Sequence, residues 1–188
     1  MDIPGCYDAL QEALKEPRPK QLVTEINAHL ETANATNGQP KKLQFLCVDC
    51  KQEGVEGKAR AFFAAPPAIV LCANRLRTQN DVSEVIVHEL IHAYDYTVRG
   101  MDLTKPDVLA CSEVRSARES ECYQKADHFC KTSSAALGAR ACEWWTHKCV
   151  KDNATQATSS MLPPTEAKAR VQAVFPTCFA DHAPFTSA

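Results

Sequence analysis

The sequence predicts an α+β fold: one compact domain over residues 1–188, with a small sheet beside a long helix and disulfides across the periphery. Apolar, strand-like segments at 43–48, 62–63 and 68–72 predict the sheet. Apolar residues at helical spacing predict the long helix that follows: Val82, Val85, Ile86, Leu90 and Ala93. A chain of 188 residues, 45% of them hydrophobic, is large enough to bury one core.

The segments before the sheet predict two short helices, because apolar positions recur at helical spacing over 7–14 and 20–30. Pro17 and Pro19 are expected to separate these helices. The polar segment 34–42 predicts a turn region before the first strand.

The long helix is expected to begin with a cap at Asn80 or Asp81 and to end at Gly100. A second helix is predicted from Thr104, with Pro106 in its first turn, and further helix is expected through Cys130. Later segments contain prolines and many hydroxyl side chains. They predict a loop over 151–164. A helix is then expected from a cap at Thr165 to Phe175, and Pro176 is expected to end it.

The charge balance excludes one class of partner. The formal net charge is −2, with basic and acidic side chains in near balance, so we expect no direct binding of nucleic acid. No run of about 18 apolar residues is present, and the N-terminal segment lacks the pattern of a signal peptide. We therefore expect a soluble or at most peripheral protein.

The ten cysteines are the strongest compositional signal, and their even, dispersed arrangement predicts disulfides. Disulfides persist in oxidising compartments, and the mitochondrial intermembrane space reconciles them with the lack of a signal peptide. The alternative is a reduced cytosolic protein with buried thiols. A zinc knuckle at Cys47 and Cys50 is less favoured, because no second Cys-x-x-Cys pair completes it.

The segment from His88 to His92 carries the chemistry. Residues four apart lie on one face of a helix, so the two imidazoles can bind a single zinc ion. Glu89 is placed to act as general base on a water molecule, which predicts a zinc metallopeptidase that hydrolyses peptide bonds. The alternative is that two histidines merely lie on a helix, with one of them packed in the core.

Catalytic zinc sites normally use three protein ligands, so a third is expected elsewhere. The glycine and the third histidine of the metzincin pattern are absent: Arg99–Met101 follows this segment, and His128 lies far downstream. Glu113, on the next predicted helix, is our predicted third ligand, which makes the fold a compact gluzincin-type zincin. Asp95 could also bind the metal, but we expect it to orient His88 or His92 instead.

Other polar and aromatic residues leave alternatives open. Four side chains are chemically able to stabilise a developing oxyanion, and the sequence does not choose among them: Arg115, Tyr123, His128 and His147. His29 and His182 are expected at the surface. Trp144 and Trp145 are expected in the core or at an interface rather than in a substrate site.

The motifs resemble one family over almost the whole chain: the mitochondrial inner membrane metalloproteases of ATP synthase assembly, whose animal members are also called Ku-binding proteins. The resemblance rests on the order and spacing of seven segments, 46–50, 69–74, 88–95, 110–115, 147–150, 174–182 and 184–185. It implies a zinc endopeptidase in the intermembrane space, peripheral to the inner membrane. The implied protein substrate is the precursor of an ATP synthase membrane subunit, whose assembly the protease also assists.

Two other functions remain as alternatives. One is an assembly chaperone whose peptidase activity is dispensable. The other is a non-enzymatic interaction partner of DNA-repair proteins, which only the Ku-binding name suggests. An active-site substitution tested for both functions separates the first from a protease, and fractionation of the cell tests the second.

Overall fold

The computed structural model describes residues 1–33, 42–51, 57–64 and 67–185, with the side chains of residues 124 and 132–137 left aside. Most of the segment 34–42, predicted as a turn region, lies outside these residues. The chain forms two compact units, Met1–Gly100 and Met101–Ala188. That residues 1–188 act as a single domain stays a prediction.

The described residues of the first unit form three α-helices, three strands and one short 3-10 helix. In chain order these are α1 (Ile3–Ala13), α2 (Pro17–Ala33), β1 (Gln44–Val48), β2 (Ala61–Ala64), β3 (Ala68–Cys72), a short 3-10 helix (Ala73–Arg75) and α3 (Gln79–Thr97). The two predicted N-terminal helices and all three predicted strands are confirmed. Pro17 does not separate the helices but begins α2, where the missing N–H of proline costs no hydrogen bond.

The three strands form one sheet in the order β1-β3-β2. The strands β1 and β3 are parallel, with Leu46 opposite Val70, whereas β2 is antiparallel to β3, with Phe62 opposite the same residue. Cys47, Ile69, Leu71 and Ala61 are buried and alternate with more exposed residues, as a sheet with one covered face requires. The α+β class with a small sheet is thus confirmed.

The start of α3 differs from the prediction. Thr78 is the N-cap, not Asn80 or Asp81, and its hydroxyl accepts a hydrogen bond from the Asp81 N–H at 3.1 Å. The Asp81 carboxylate accepts one from the Thr78 N–H at 3.0 Å, which completes a capping box. Gly100 lies just beyond the helix with a φ of 65°, in the left-handed region that glycine adopts without strain.

The second unit is helical throughout its described elements: α4 (Pro106–Glu119), α5 (Glu121–Leu137), α6 (Ala139–Thr158) and α7 (Pro164–Ala180). Its core consists mainly of small and aliphatic side chains from these helices. The fully buried members of that core include Ala110, Val114, Val150 and Ala154. The helix predicted from Thr104 is present but begins at Pro106, with Lys105 as its N-cap.

Two predictions for the second unit were wrong. The segment 151–164 is mostly helix, because α6 continues to Thr158 and buries Ala154 and Thr158 in the unit. The last helix begins at Pro164 rather than after a Thr165 cap, and Pro176 lies within it. Tertiary packing accounts for both differences, since buried contacts outweigh weak local propensities.

All ten cysteines form disulfides, as the cysteine count predicts. Two bridges lie in the first unit and three in the second. The pairs are Cys6–Cys47, Cys50–Cys72, Cys111–Cys178, Cys122–Cys149 and Cys130–Cys142. Among the residues that the structure describes, no helix is both long and apolar enough to span a membrane.

Candidate active site

His88, Glu89 and His92 lie on α3, in the middle of the helix. The two imidazole rings project from the same face, with ring centroids 4.9 Å apart and planes at 74°. Each ring offers a nitrogen as a ligand atom, and these nitrogens lie within 4.8 Å of one another. The i, i+4 spacing therefore brings the two imidazoles together on one face, as the sequence predicts. That they bind a metal ion stays a prediction.

The helix holds these side chains on a rigid support. Leu90, Ile91 and Ala93, which alternate with the polar residues, are fully buried. Glu89 and His92 are each only 8% exposed, whereas His88 is partly exposed. Polar side chains at this burial require partners of their own, and the motif places two of them, Glu89 and His92, three residues apart beside the partly exposed His88. Such a cluster is typical of a functional site rather than of a packed core.

The donor chemistry of this pair fits zinc. Two neutral imidazoles are common zinc ligands, and a catalytic site adds one further protein ligand and keeps one position for water. Glu89 follows the first histidine directly, so its carboxylate leaves the helix in a different direction from the two imidazoles. It is therefore suited to a water molecule beside the metal.

Asp95 lies on α3 three residues after His92 and is fully buried. Its carboxylate forms an ion pair with Arg99, one turn further on, at 3.5 Å. A buried carboxylate beside a metal-binding helix commonly holds an imidazole in the orientation that the metal requires. Its role in orienting a histidine stays a prediction.

Glu113 lies on α4 in the second unit and is 7% exposed. The neighbouring residues Ser112 and Val114 are fully buried, so this part of α4 is covered on more than one side. A carboxylate at this depth needs a cation or hydrogen-bond donors, since burial alone disfavours its charge. Its role as the third ligand stays a prediction.

The candidates for oxyanion stabilisation have different surroundings. Arg115 is fully buried and pairs with the Asp181 carboxylate at 2.8 Å. His147 packs edge-on against Phe179, with ring centroids 4.4 Å apart. Tyr123 and His128 are exposed. Within the second unit, Arg115 thus contributes to structure at the end of α7, and the choice among the four stays open.

The two remaining histidines and the two tryptophans differ in their exposure. His29 is exposed, as predicted, and His182 is partly exposed, with Nδ1 3.8 Å from a Glu119 carboxylate oxygen. Trp145 stacks on Phe129 at 5.2 Å. Trp144 is 63% exposed, so it does not belong to the core of its unit.

The sequence reasoning missed a buried polar cluster on α4. Arg118 and Glu119 are 6% and 5% exposed, and the two side chains pair at 2.6 Å. The Arg118 guanidinium also donates to the backbone oxygen of Asp181 at 2.7 Å, beside the bonds that Arg115 makes to the same segment. The only signal in the sequence was a set of charged residues on the helical face where apolar residues would be expected.

Three known proteins from different organisms are similar to this chain in sequence. A relative from Homo sapiens, named mitochondrial inner membrane protease ATP23 homolog, is 35% identical over 149 residues, which cover 77% of this chain and 56% of the relative. The relative of that name from Xenopus laevis is 32% identical over 148 residues, covering 77% and 59%. The Candida albicans protein named mitochondrial inner membrane protease ATP23 is 30% identical over 126 residues, covering 65% and 51%.

The chain thus spans somewhat more than half the length of these curated relatives. No solved structure matches it significantly. The profile of the peptidase M76 family matches residues 5–186, nearly the whole chain. With the paired histidines and the glutamate between them on α3, this match shows that the chain belongs to the peptidase M76 family.

Proposed function

We propose that this chain is a zinc-dependent endopeptidase in which His88, His92 and Glu113 bind the metal and Glu89 is the general base. The observation that carries the proposal is the pair of imidazoles on one face of α3, with the buried Glu89 carboxylate on the same helix. Membership of a peptidase family supports the reaction class. The chain matches only part of the length of each curated relative. The activity of the whole protein is therefore part of what we propose.

The ligand set supports a zincin of the gluzincin type. Two imidazoles and one carboxylate, each offering one ligand atom, are a donor set that catalytic zinc sites use. Such sites leave a fourth position open, in contrast to the closed sites of structural zinc. Glu113 follows His92 on the next helix, which is the chain order expected of a glutamate ligand in such enzymes.

The reaction requires one proton carrier and one electrophilic centre. His88, His92 and Glu113 would hold the zinc ion, which when bound would supply Lewis-acid polarisation of the peptide carbonyl and of the attacking water. The Glu89 carboxylate accepts a proton as the water oxygen bonds to the carbonyl carbon. It then donates that proton to the leaving nitrogen when the C–N bond breaks, which returns the carboxylate to its first state.

The names of the relatives and the disulfides support a proposal about the cellular setting. The relatives carry the name mitochondrial inner membrane protease, and five disulfides require an oxidising compartment. We propose that the protein acts in the intermembrane space, peripheral to the inner membrane. The family resemblance further suggests the precursor of an ATP synthase membrane subunit as the substrate.

Metal removal and restoration test the activity. Protein purified with its metal should contain about one zinc per chain, and it should cleave the precursor of the ATP synthase membrane subunit. Treatment with a chelator should abolish cleavage, and added zinc should restore it. Cleavage that continues after all metal has been removed would overturn the proposal. As a control for non-specific proteolysis, an unrelated disulfide-bonded protein is incubated as the substrate under the same conditions.

A further inference from the structure

The outer face of α6 carries a basic and aromatic stripe, which we define as Arg140, Trp144, Lys148 and Lys151. Successive members are four, four and three residues apart, so they lie along one side of the helix. All four are exposed. Trp144 is 63% exposed, the largest value of any aromatic residue that the structure describes.

The exposure of Trp144 contrasts with that of its neighbour. Trp145 is half-buried and stacks on Phe129, with ring centroids 5.2 Å apart and planes at 15°. An indole carries a large apolar surface and one N–H donor, so it gains most where one side is apolar and the other is hydrated. The headgroup region of a membrane is such an environment, and tryptophan is enriched there.

The charges around Trp144 fit an anionic partner. Three of the four residues in the stripe are basic, and the helix carries two exposed acidic residues, Glu143 and Asp152. Lys148 pairs with Asp152, but both side chains are more than half exposed, so this pair is weak and easily exchanged. Lys151 is exposed as a residue, and its ammonium group lies 4.4 Å from the centre of the Phe175 ring.

We propose that this stripe on α6 is a docking surface for an anionic phospholipid membrane. The indole of Trp144 enters the headgroup region, and Arg140, Lys148 and Lys151 bind lipid phosphates. The inference rests on the proposed location of the protein at the inner membrane. It gives that location a physical basis in the exposed indole and the basic side chains of α6.

Vesicle binding by the full chain tests this surface. The probes are vesicles of phosphatidylcholine alone and vesicles of phosphatidylcholine mixed with phosphatidylglycerol. Each basic residue near an anionic surface strengthens binding about fivefold, so Lys148→Glu should weaken binding to the mixed vesicles by roughly 25-fold. The matched control is Lys20→Glu on the exposed side of α2, which should leave binding unchanged.

Fluorescence locates the indole independently. The chain has two tryptophans, so a Trp145→Phe variant reports on Trp144 alone. Its emission should shift to shorter wavelength with the mixed vesicles and become less accessible to iodide. Trp144→Ala should weaken vesicle binding in the otherwise unchanged chain.

The outcomes separate this proposal from the peptidase proposal. Zinc content and cleavage of a soluble peptide should be the same for Lys148→Glu, Trp144→Ala and the unaltered chain, because the stripe is not part of the metal site. The docking proposal is overturned if the unaltered chain does not bind the mixed vesicles, or if Lys148→Glu and Lys20→Glu bind them equally. Binding to polyglutamate without binding to vesicles would overturn it in favour of an acidic protein partner.

Discussion

Thr78 and Asp81 cap the N-terminus of α3 reciprocally: each side chain accepts a hydrogen bond from the other's backbone N–H. The Asp81 carboxylate also accepts one from the Arg77 N–H at 3.0 Å. This capping box fixes where the helix begins, and His88 follows ten residues after Thr78. The cap therefore contributes to the stability of the helix that presents the proposed active site.

Removal of this cap should destabilise the protein measurably. Thr78→Ala is expected to lower the free energy of unfolding by about 1 kcal/mol, because it leaves a helix N–H without its acceptor. Urea unfolding of the oxidised protein measures this difference. Asn80→Ala, in the exposed first turn of the same helix, is the matched control and should change stability by less than about 0.5 kcal/mol. Equal effects of the two substitutions would contradict the role of the cap.

The same cap predicts that the stability of the protein depends on pH in the acid range. Partial burial tends to raise the pKa of Asp81, but the hydrogen bonds from Arg77 and Thr78 outweigh it and hold the pKa below its usual 3.8. A lowered folded-state pKa stabilises the protein above the unfolded-state pKa, and this stabilisation is lost as the pH falls through the folded-state pKa. The destabilisation caused by Asp81→Ala should therefore be smaller at pH about 3 than at pH about 7. An equal difference at both pH values would count against this assignment.

The disulfides should contribute unequally to stability. Cys111–Cys178 closes a separation of 67 residues, whereas Cys130–Cys142 closes one of 12. Loop-closure entropy predicts that replacing the first pair with alanine costs about 1.5 kcal/mol more than replacing the second. Unfolding of the two double variants measures this, and the reverse order would refute the entropic account.

Thiol counting in denatured, non-reduced protein should find all ten cysteines paired, and about ten free thiols would refute the pairing itself.

Elements whose signal is local were predictable from the sequence. The strands over 44–48 and 68–72 and the helix that carries His88 show their periodicity within a few residues, and the structure confirms them. The close approach of the His88 and His92 rings was equally predictable, because it needs only helical geometry.

Features that depend on distant parts of the chain were not predictable. The last turns of α6 are polar in sequence and become helical because Ala154 and Thr158 are buried against other helices. Disulfide partners such as Cys111 and Cys178 meet only once α4 and α7 have packed. The burial of the Arg118–Glu119 pair runs against the usual expectation from sequence, in which charged residues predict an exposed face.

Substitution of the general base should separate metal binding from chemistry. Glu89→Gln keeps the shape of the side chain but cannot accept the proton of water, so cleavage should fall by roughly 10²- to 10⁴-fold while zinc stays bound. Zinc content and precursor cleavage are measured on the same preparation. Cleavage near the original rate would sink the assignment of Glu89. If this variant still supports ATP synthase assembly, the chaperone activity is independent of hydrolysis.

Helix geometry predicts which of two carboxylates, Asp95 or Glu113, is the third zinc ligand. Asp95 follows His92 on the same helix, has a short side chain and pairs with Arg99, so binding a zinc ion held by both histidines would distort that helix. Glu113 is longer and belongs to a different helix, so it can approach the metal from another direction and leave one position for water.

Zinc titration against a competing chelator distinguishes the two carboxylates. Asp95→Asn should weaken zinc binding roughly 10- to 100-fold, as expected for a residue that orients a ligand. Glu113→Ala should weaken it more, because it removes a bond to the metal. Glu143→Ala, at an exposed position on α6, is the matched control and should bind zinc normally. A larger loss for Asp95→Asn than for Glu113→Ala would reverse the assignment. Normal zinc binding by both variants would exclude both carboxylates and direct the search to His128 and His147.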